Sequence, residues 1–241
     1  MVGAARTIDG DDRRVPEALR AVHRSLPVGA EVRLEVTATV AAERLADLLV
    51  GAGFAAGAAA TARRAGAWRV RAERLRTLPD SVGPDMRLLV VGLNPSLVAA
   101  DAGYGFAGPT NRFWKAAALA GAVSGGRDPG RALAVDGLGM TDLVKRATPR
   151  SAEVTADEYR TGADRVERLV AWLAPAAVCV VGLEGWRVVR DRRARPGWQP
   201  AAWGGRPAYV MPSTSGLNAS ARFDDLVTHL RAASAGPGPR S

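Results

Sequence analysis

Three short apolar runs, each about as long as one β-strand, constrain the fold of this chain most. They are residues 87–92 (Arg-Leu-Leu-Val-Val-Gly), 177–182 (Ala-Val-Cys-Val-Val-Gly) and 208–211 (Ala-Tyr-Val-Met). A strand that is apolar on both faces needs cover on both faces, as in a parallel sheet between two layers of helices. Segments with helical spacing separate the runs. The pattern therefore predicts an α/β fold, with three αβα layers around a central, mostly parallel sheet.

Helix signals support this fold class. Residues 155–158 (Thr-Ala-Asp-Glu) form a capping box, which predicts the start of a helix. Apolar residues then recur on one face of that helix, and a similar stripe marks the last helix of the chain. The first stripe consists of Ala163, Val166, Val170 and Leu173, and the second of Phe223, Leu226, Val227 and Leu230. Residues 139–143 are interpreted as the end of a further strand.

Residues 77–84 (Thr-Leu-Pro-Asp-Ser-Val-Gly-Pro) are typical of a linker or long loop. We therefore divide the chain into a small N-terminal α+β domain (1–84), a catalytic domain (85–233) and a disordered tail (234–241). The N-terminal domain is expected to contain two helices, at 16–26 and 41–50, and two strands, at 31–37 and 68–72. It faintly resembles the C-terminal part of a class I methyltransferase. It lacks the glycine-rich cofactor loop, so we expect an accessory or DNA-contacting domain without methyl transfer.

Composition narrows the function classes. The chain has 33 basic and 24 acidic residues, a net charge of +9, which indicates either a nucleic-acid partner or simply an arginine-rich genome. One cysteine and two histidines exclude a four-cysteine zinc site and an iron–sulfur cluster, and we expect no metal and no cofactor. Residues 1–14 do not resemble a signal peptide, and no apolar run is long enough to span a membrane. We therefore expect a soluble, cytoplasmic protein without membrane contact, associated with the nucleoid.

Polar loops follow the first and third apolar runs, where α/β proteins bind ligands. Asn94 follows the first run and precedes Pro95, which disfavours helical geometry at Asn94 and lets its amide project from the strand end. The alternative is an Asn-Pro turn with no further role. A glycine-rich loop with aromatic residues, 103–114, comes next and is suited to a flat, polar ligand such as a base.

Three motifs in this order resemble a known family. They are residues 92–97 (Gly-Leu-Asn-Pro-Ser-Leu), 106–114 (Phe-Ala-Gly-Pro-Thr-Asn-Arg-Phe-Trp) and 211–217 (Met-Pro-Ser-Thr-Ser-Gly-Leu). Together they resemble the mismatch-specific uracil/thymine-DNA glycosylases, the Mug/TDG branch of the uracil-DNA glycosylase superfamily. The resemblance covers residues 87–232, and residues 139–146 fit its middle. Any one motif alone would be weak.

The resemblance implies roles for several residues in and near the first two motifs. Asn94 would position the water that attacks the deoxyribose C1′. Phe106 would stack on a base flipped out of the duplex, and backbone groups near Leu93 and Phe106 would read its edge. Ser96 and Ala100 would complete the base-binding pocket. Ser96 stands where this branch usually has glycine; because serine is small, pyrimidines substituted at C5 are expected to enter.

The third motif implies the DNA contacts. Leu217 would fill the gap left by the flipped base, or alternatively is a surface leucine that caps the last helix. Ser213, Ser215 and neighbouring backbone groups are suited to phosphate contacts, with Gly216 and Asn218 beside them. Since parts of the family have Asn-Pro-Ser-Gly-Leu-Ser here, the wedge could also lie two positions away.

Other conspicuous residues favour structural roles. Residues 111–114 are expected to lock their loop onto the following helix, and Cys179 is expected to be a buried apolar residue. The arginines of 190–195 indicate either a phosphate-binding run or a solvated helix end. Neither lysine, Lys115 or Lys145, lies in a motif loop, which disfavours a Schiff-base lyase activity.

The sequence therefore predicts a monomeric, monofunctional DNA-repair glycosylase. It would release uracil, and also thymine or other modified pyrimidines, mispaired with guanine in double-stranded DNA, leaving an abasic site. The DNA partner would carry a G:U or G:T mismatch. One alternative is a catalytically weak protein that binds mismatches or abasic sites with the same fold. A second is a small-molecule enzyme with an Asn-Pro strand end.

Overall fold

The structure, a computed structural model, describes residues 5–56, 61–64 and 67–238. Strands in these ranges are β1 (Arg6–Ile8), β2 (Glu31–Val36), β3 (Phe54–Ala56), β4 (Thr61–Arg64), β5 (Ala67–Arg74), β6 (Leu88–Gly92), β7 (Leu138–Asp142), β8 (Ala177–Val181), β9 (Gly197–Trp198) and β10 (Ala208–Met211). The α-helices are α1 (Val15–Ser25), α2 (Ala42–Gly51), α3 (Leu97–Ala102), α4 (Phe113–Leu119), α5 (Pro129–Asp136), α6 (Ala156–Leu173), α7 (Leu183–Val189) and α8 (Phe223–Ala235).

The central sheet has the strand order β7-β6-β8-β10-β9. Its first four strands are parallel, and the short edge strand β9 is antiparallel to β10. The three apolar runs of the sequence form β6, β8 and β10, and the strand expected near residues 139–143 is β7. The prediction of a mostly parallel sheet is confirmed.

Alternation along the strands explains why the sheet has helices on both faces. Leu89 and Val91 of β6 belong to an apolar cluster that contains the buried stripe of α6. Leu88 and Val90 belong to a second cluster, with residues of α4 and α8. Burial of each such side chain contributes about 1.5–3 kcal/mol. The three-layer αβα prediction is confirmed.

The helices that the sequence predicts after residue 155 and near the end of the chain also form. The Thr155 hydroxyl accepts a hydrogen bond from the Glu158 backbone N–H, and the Glu158 carboxylate accepts one from the Thr155 backbone N–H. This capping box forms the start of α6. All four residues of the first predicted stripe are buried. In α8 the stripe is buried except for Phe223, which is half-buried. Helix α8 continues through Ala235, two residues into the predicted tail, and residues 239–241 lie outside the described residues.

The first part of the chain forms a separate, mostly antiparallel sheet with α1 and α2 beside it. Its strand order is β1-β2-β5-β3, with β4 paired to β5, and only β1 and β2 are parallel. Its buried residues belong to the same apolar cluster as α6 and one face of the central sheet. The boundary at residue 84 stays a prediction. In the described ranges no helix combines the length and apolar character that a membrane span requires.

Candidate active site at the strand ends

The polar motif loops converge at the carboxyl ends of the parallel strands. Residues 93–97 follow β6, residues 143–148 follow β7, and residues 212–218 follow β10. A groove of about 580 Å³ lies along the ends of β6, β8 and β10, and Leu93, Gly182 and Ser213 are among the residues lining it. This is the edge at which ligands bind in such sheets.

Asn94 is half-buried, and its amide nitrogen faces three acceptors. Asn94 Nδ2 donates to the Thr148 Oγ1 (2.8 Å) and to the Arg146 backbone oxygen (3.0 Å), with the Pro95 oxygen at 3.2 Å. Thr148 Oγ1 in turn donates to the Arg150 backbone oxygen. Because acceptors surround Nδ2, the amide has one orientation, and its Oδ1 is left to accept a hydrogen bond from a water molecule.

Phe106 has a left-handed backbone conformation (φ 59°), which is uncommon for an aromatic residue. Its half-buried ring stacks on that of Phe113, with ring centres 4.1 Å apart and an interplanar angle of 17°. One face of the ring is therefore covered by protein, and the other face is the one that can receive a planar ligand. A small cavity of about 20 Å³ beside Phe106 is also lined by Gly105, Thr141 and Asp142.

Asp142 lies at the end of β7 and is the acidic residue that lines this cavity together with Phe106. A Cβ built on Gly92 would overlap Asp142 Oδ1 and come within 3.8 Å of Phe106 Cζ, so the carboxyl group and the ring both lie near the space that a side chain at Gly92 would occupy. Burial raises the pKa of Asp142 to about 6, and the nearby Asp80 adds to the effect, against Lys145 and Arg165. A carboxyl group with this pKa can serve as a hydrogen-bond donor or acceptor near neutral pH.

The other residues expected in the base-binding pocket have local structural roles as well. Ser96 is the N-cap of α3, and its Oγ accepts from the Ala99 N–H. Ala100 is buried in α3, and its N–H donates to the Ser96 backbone oxygen. The Leu93 carbonyl accepts from the Val144 N–H, which ties the first motif to the loop after β7.

The 212–218 loop is held by its own polar groups. Ser213 Oγ accepts from the Ser215 N–H, and Ser215 Oγ accepts from the Leu217 N–H. Asn218 Nδ2 donates to the Ser213 backbone oxygen. Because each serine oxygen acts as an acceptor, its own hydrogen can still be donated to a phosphate oxygen.

Among the residues that the structure describes, Leu217 is the most exposed large apolar residue, with 92% of its surface accessible. The preceding Gly216 lies against Thr110, where a Cβ would overlap the threonine side chain. The loop thus presents an apolar side chain to solvent at the same edge as Asn94.

Arg112 joins the second motif to the third. Its guanidinium donates to the backbone oxygens of Ala221 (2.7 Å), Asn218 (2.9 Å) and Ser215 (3.2 Å). Asn111 Oδ1 accepts from the Phe113 N–H and the Thr214 hydroxyl. The predicted locking of residues 111–114 onto α4 is present, and it extends to the 212–221 segment.

A buried polar cluster lies behind the loop after β7. Asp80 accepts from Lys145 Nζ (2.8 Å), Arg165 Nη1 (2.8 Å) and the Thr141 hydroxyl (2.6 Å). Burial opposes ionisation of Asp80, but Arg165 and Lys145 hold its pKa below the ordinary value. Lys145 is therefore engaged as a buried ion-pair partner and is poorly placed to act as a nucleophile.

Two further sequence interpretations can be compared with the structure. Cys179 is fully buried in β8, where burial raises its pKa to about 12, as expected for an apolar structural residue. In the 190–195 run, Arg190 forms an ion pair with Glu167. Within the part of the chain that the structure describes, no group of three or more His, Cys, Asp or Glu side chains is arranged to hold a metal ion.

Three residues were assigned no role in this site from the sequence: Thr148, Asp142 and Lys145. Asp142 had a signal, since it is a polar residue at the carboxyl end of a predicted strand. The partnership of Thr148 with Asn94, 54 residues apart, and that of Lys145 with Asp80, 65 residues apart, had none, because only tertiary structure brings them together.

Comparison with known proteins agrees with this geometry. The model of the family described as the uracil DNA glycosylase superfamily matches residues 79–232, which include the central sheet and all the motif loops. Membership implies an N-glycosylase that hydrolyses the bond between uracil and deoxyribose in DNA. The match does not distinguish the branches within the superfamily. The chain belongs to the uracil DNA glycosylase superfamily.

Proposed function

We propose that this protein is a monofunctional, mismatch-specific glycosylase. It releases uracil, and also thymine or other modified pyrimidines, paired with guanine in double-stranded DNA. The observation that carries the proposal is the fixed amide of Asn94, whose Nδ2 is held by Thr148 and the Arg146 carbonyl. The Oδ1 that remains can orient one water molecule toward a C1′ placed above it.

The reaction breaks the C1′–N1 bond, and the bonding electrons leave with the base. The sugar becomes oxocarbenium-like, and the oriented water adds to C1′. The proton that this water loses goes to solvent, and the departing base anion takes up a proton from solvent, so that the products are the free base and an abasic sugar. An amide is a poor general base, so Asn94 contributes through orientation and through its dipole. The expected rate is therefore modest compared with that of an enzyme with a carboxylate at this position.

Phe106 and Asp142 supply the features expected of a base-binding site. A pyrimidine that stacks on the face of Phe106 opposite Phe113 would lie near the end of β7, where Asp142 can exchange hydrogen bonds with its edge. The 20 Å³ cavity holds about one water molecule. Since a base needs more room, the proposal includes movement of the 103–106 loop when DNA binds. In this loop Gly103 precedes Tyr104, and Gly105 precedes Phe106.

Leu217 is suited to fill the gap that a flipped nucleotide leaves in the duplex. Base flipping requires loss of stacking, and an inserted apolar side chain offsets part of this cost. The exposure of Leu217 and the rigid Arg112 anchor of its loop support this role. Burial of Lys145 in an ion pair supports hydrolysis without a Schiff-base lyase step.

The test is a single-turnover assay with end-labelled duplexes that contain one G·U, G·T or A·U pair, followed by alkali to cleave abasic sites. We expect cleavage of G·U, slower cleavage of G·T and least cleavage of A·U. Equal rates for G·U and A·U would overturn mismatch specificity. Tight binding of mismatched duplexes without cleavage would favour a catalytically weak binding protein. A lack of salt-dependent affinity for DNA would favour a small-molecule enzyme.

A further inference from the structure

The segment between β5 and β6 contacts the N-terminal sheet region on one side and the loop after β7 on the other. This loop after β7 holds the side chain of Asn94. On the segment's N-terminal side, the Asp80 N–H donates to the Gly51 oxygen (2.8 Å), and the Leu75 N–H donates to the Gly53 oxygen (2.9 Å). Neither glycine has room for a side chain, because a Cβ would overlap Asp80 at Gly51 and Thr77 at Gly53. The 75–80 segment is therefore closely packed against the end of α2.

On its other side, the same segment holds the loop after β7. Thr77 Oγ1 donates to the Lys145 backbone oxygen, and Asp80 pairs with the Lys145 ammonium group at 2.8 Å. Lys145 is thus held at both its backbone and its side chain. All three residues are buried, so these contacts are not screened by solvent.

The loop after β7 in turn determines the position of Asn94. Next to Lys145, the Arg146 carbonyl accepts from Asn94 Nδ2, and Thr148 Oγ1 accepts from the same nitrogen. The loop also donates its Val144 and Thr148 N–H groups to the oxygens of Leu93 and Pro95. A shift of this loop therefore changes the orientation of the Asn94 amide.

We infer that Thr77 and Lys145 are positioning residues for Asn94, and that the N-terminal region supports the active site through them. The inference rests on the proposed role of Asn94. It assigns residues 1–84 a function in catalysis that needs no contact with DNA. When a positioned catalytic group moves by about 1 Å, the reaction rate falls by up to roughly 100-fold. A loosened loop is therefore expected to lower the rate of base release without affecting DNA binding.

The experiment uses the full chain and four single variants. Thr77→Val removes the hydroxyl donor at nearly constant volume, and Thr77→Ser keeps it. Lys145→Met removes the charge and keeps most of the side-chain length. Asp47→Asn is the control, because Asp47 pairs with Arg168 and so joins α2 to α6 without touching the loop after β7.

Three quantities are measured for each variant: the single-turnover rate on a G·U duplex, the Kd for a duplex with an abasic-site analogue, and hydrogen exchange at the Val144 and Thr148 amides. For Thr77→Val and Lys145→Met we expect a rate about 10-fold lower, an unchanged Kd and faster exchange at these amides. Thr77→Ser and Asp47→Asn should match the wild type in all three.

The outcomes separate this inference from the proposed function. If Thr77→Val and Lys145→Met both retain full wild-type activity, the inference is overturned but the proposed function stands. An equal loss in Asp47→Asn also overturns it, because the effect would then follow from general loosening. If Lys145→Met does not fold, the comparison of Thr77→Val with Thr77→Ser decides whether the inference holds. A wild-type chain that releases no base overturns the proposed function and, with it, the inference.

Discussion

At the scale of single residues, the sequence predicted Asn94 and Phe106 because each has a local signal. Asn94 precedes a proline at a strand end, and Phe106 follows Gly105 in a glycine-rich loop. What holds these residues is not local. Two of the three acceptors of the Asn94 amide, the Arg146 oxygen and Thr148 Oγ1, lie more than 50 residues away. The partner of Phe106 is a helix residue that the sequence had assigned only to packing. Such partners cannot be predicted from spacing.

The buried carboxyl group of Asp142 leads to a prediction about pH. In the unfolded chain it ionises near 3.8, whereas burial raises its pKa in the folded chain to about 6. Between these values the folded protein keeps a proton that the unfolded chain has released, so the free energy of unfolding falls as pH rises. The total loss is about 3 kcal/mol, since one pKa unit is worth about 1.4 kcal/mol.

Asp142→Asn removes this titration at nearly constant shape. We therefore expect the variant to gain stability relative to the wild type as pH rises from 4 to 8, measured by urea unfolding at several pH values. The charged groups that face Asp142 are Lys145, Arg165 and Asp80, and all three remain in the variant. The same pH dependence in both proteins would show that Asp142 is not the group responsible.

At the scale of elements, the best predictions came from patterns within one segment. The capping box at residues 155–158 and the stripe that follows it predicted α6 because both depend on neighbours three or four residues apart. The 106–114 motif was predicted only in part. Its contacts within the loop were expected, but the contact of Arg112 with the 212–221 segment was not, since more than 100 residues separate the partners.

This contact predicts that Arg112 keeps the DNA-binding loop in shape. Arg112→Ala removes the donors to three part-buried backbone oxygens. A backbone acceptor left unpaired away from water costs about 1–3 kcal/mol. We expect roughly 10-fold weaker binding of a duplex with an abasic-site analogue, measured by fluorescence anisotropy. Arg160→Ala, which removes an exposed arginine from α6, is the matched control for charge. Equal affinities for the two variants would contradict the role of Arg112.

At the scale of the whole molecule, the central sheet was predictable because its strands are apolar on both faces. The order of the strands was not, since nothing in the apolar runs indicates which strands are neighbours. The packing of residues 1–84 was also not predictable. Their amphipathic elements indicate a buried face but not its partner, which includes α6 and the Asp80 cluster. Net charge was the least informative signal, because both a DNA partner and arginine-rich composition explain it.

The central claim is that Asn94 performs the reaction by orienting water. Its most direct test compares the wild type with Asn94→Ala in single-turnover base release from a G·U duplex, alongside the affinity of each protein for the same duplex. We expect the rate to fall at least about 100-fold, with affinity within a factor of about 2, because the variant loses orientation but not the binding surface. A variant that releases uracil at the wild-type rate would contradict this account.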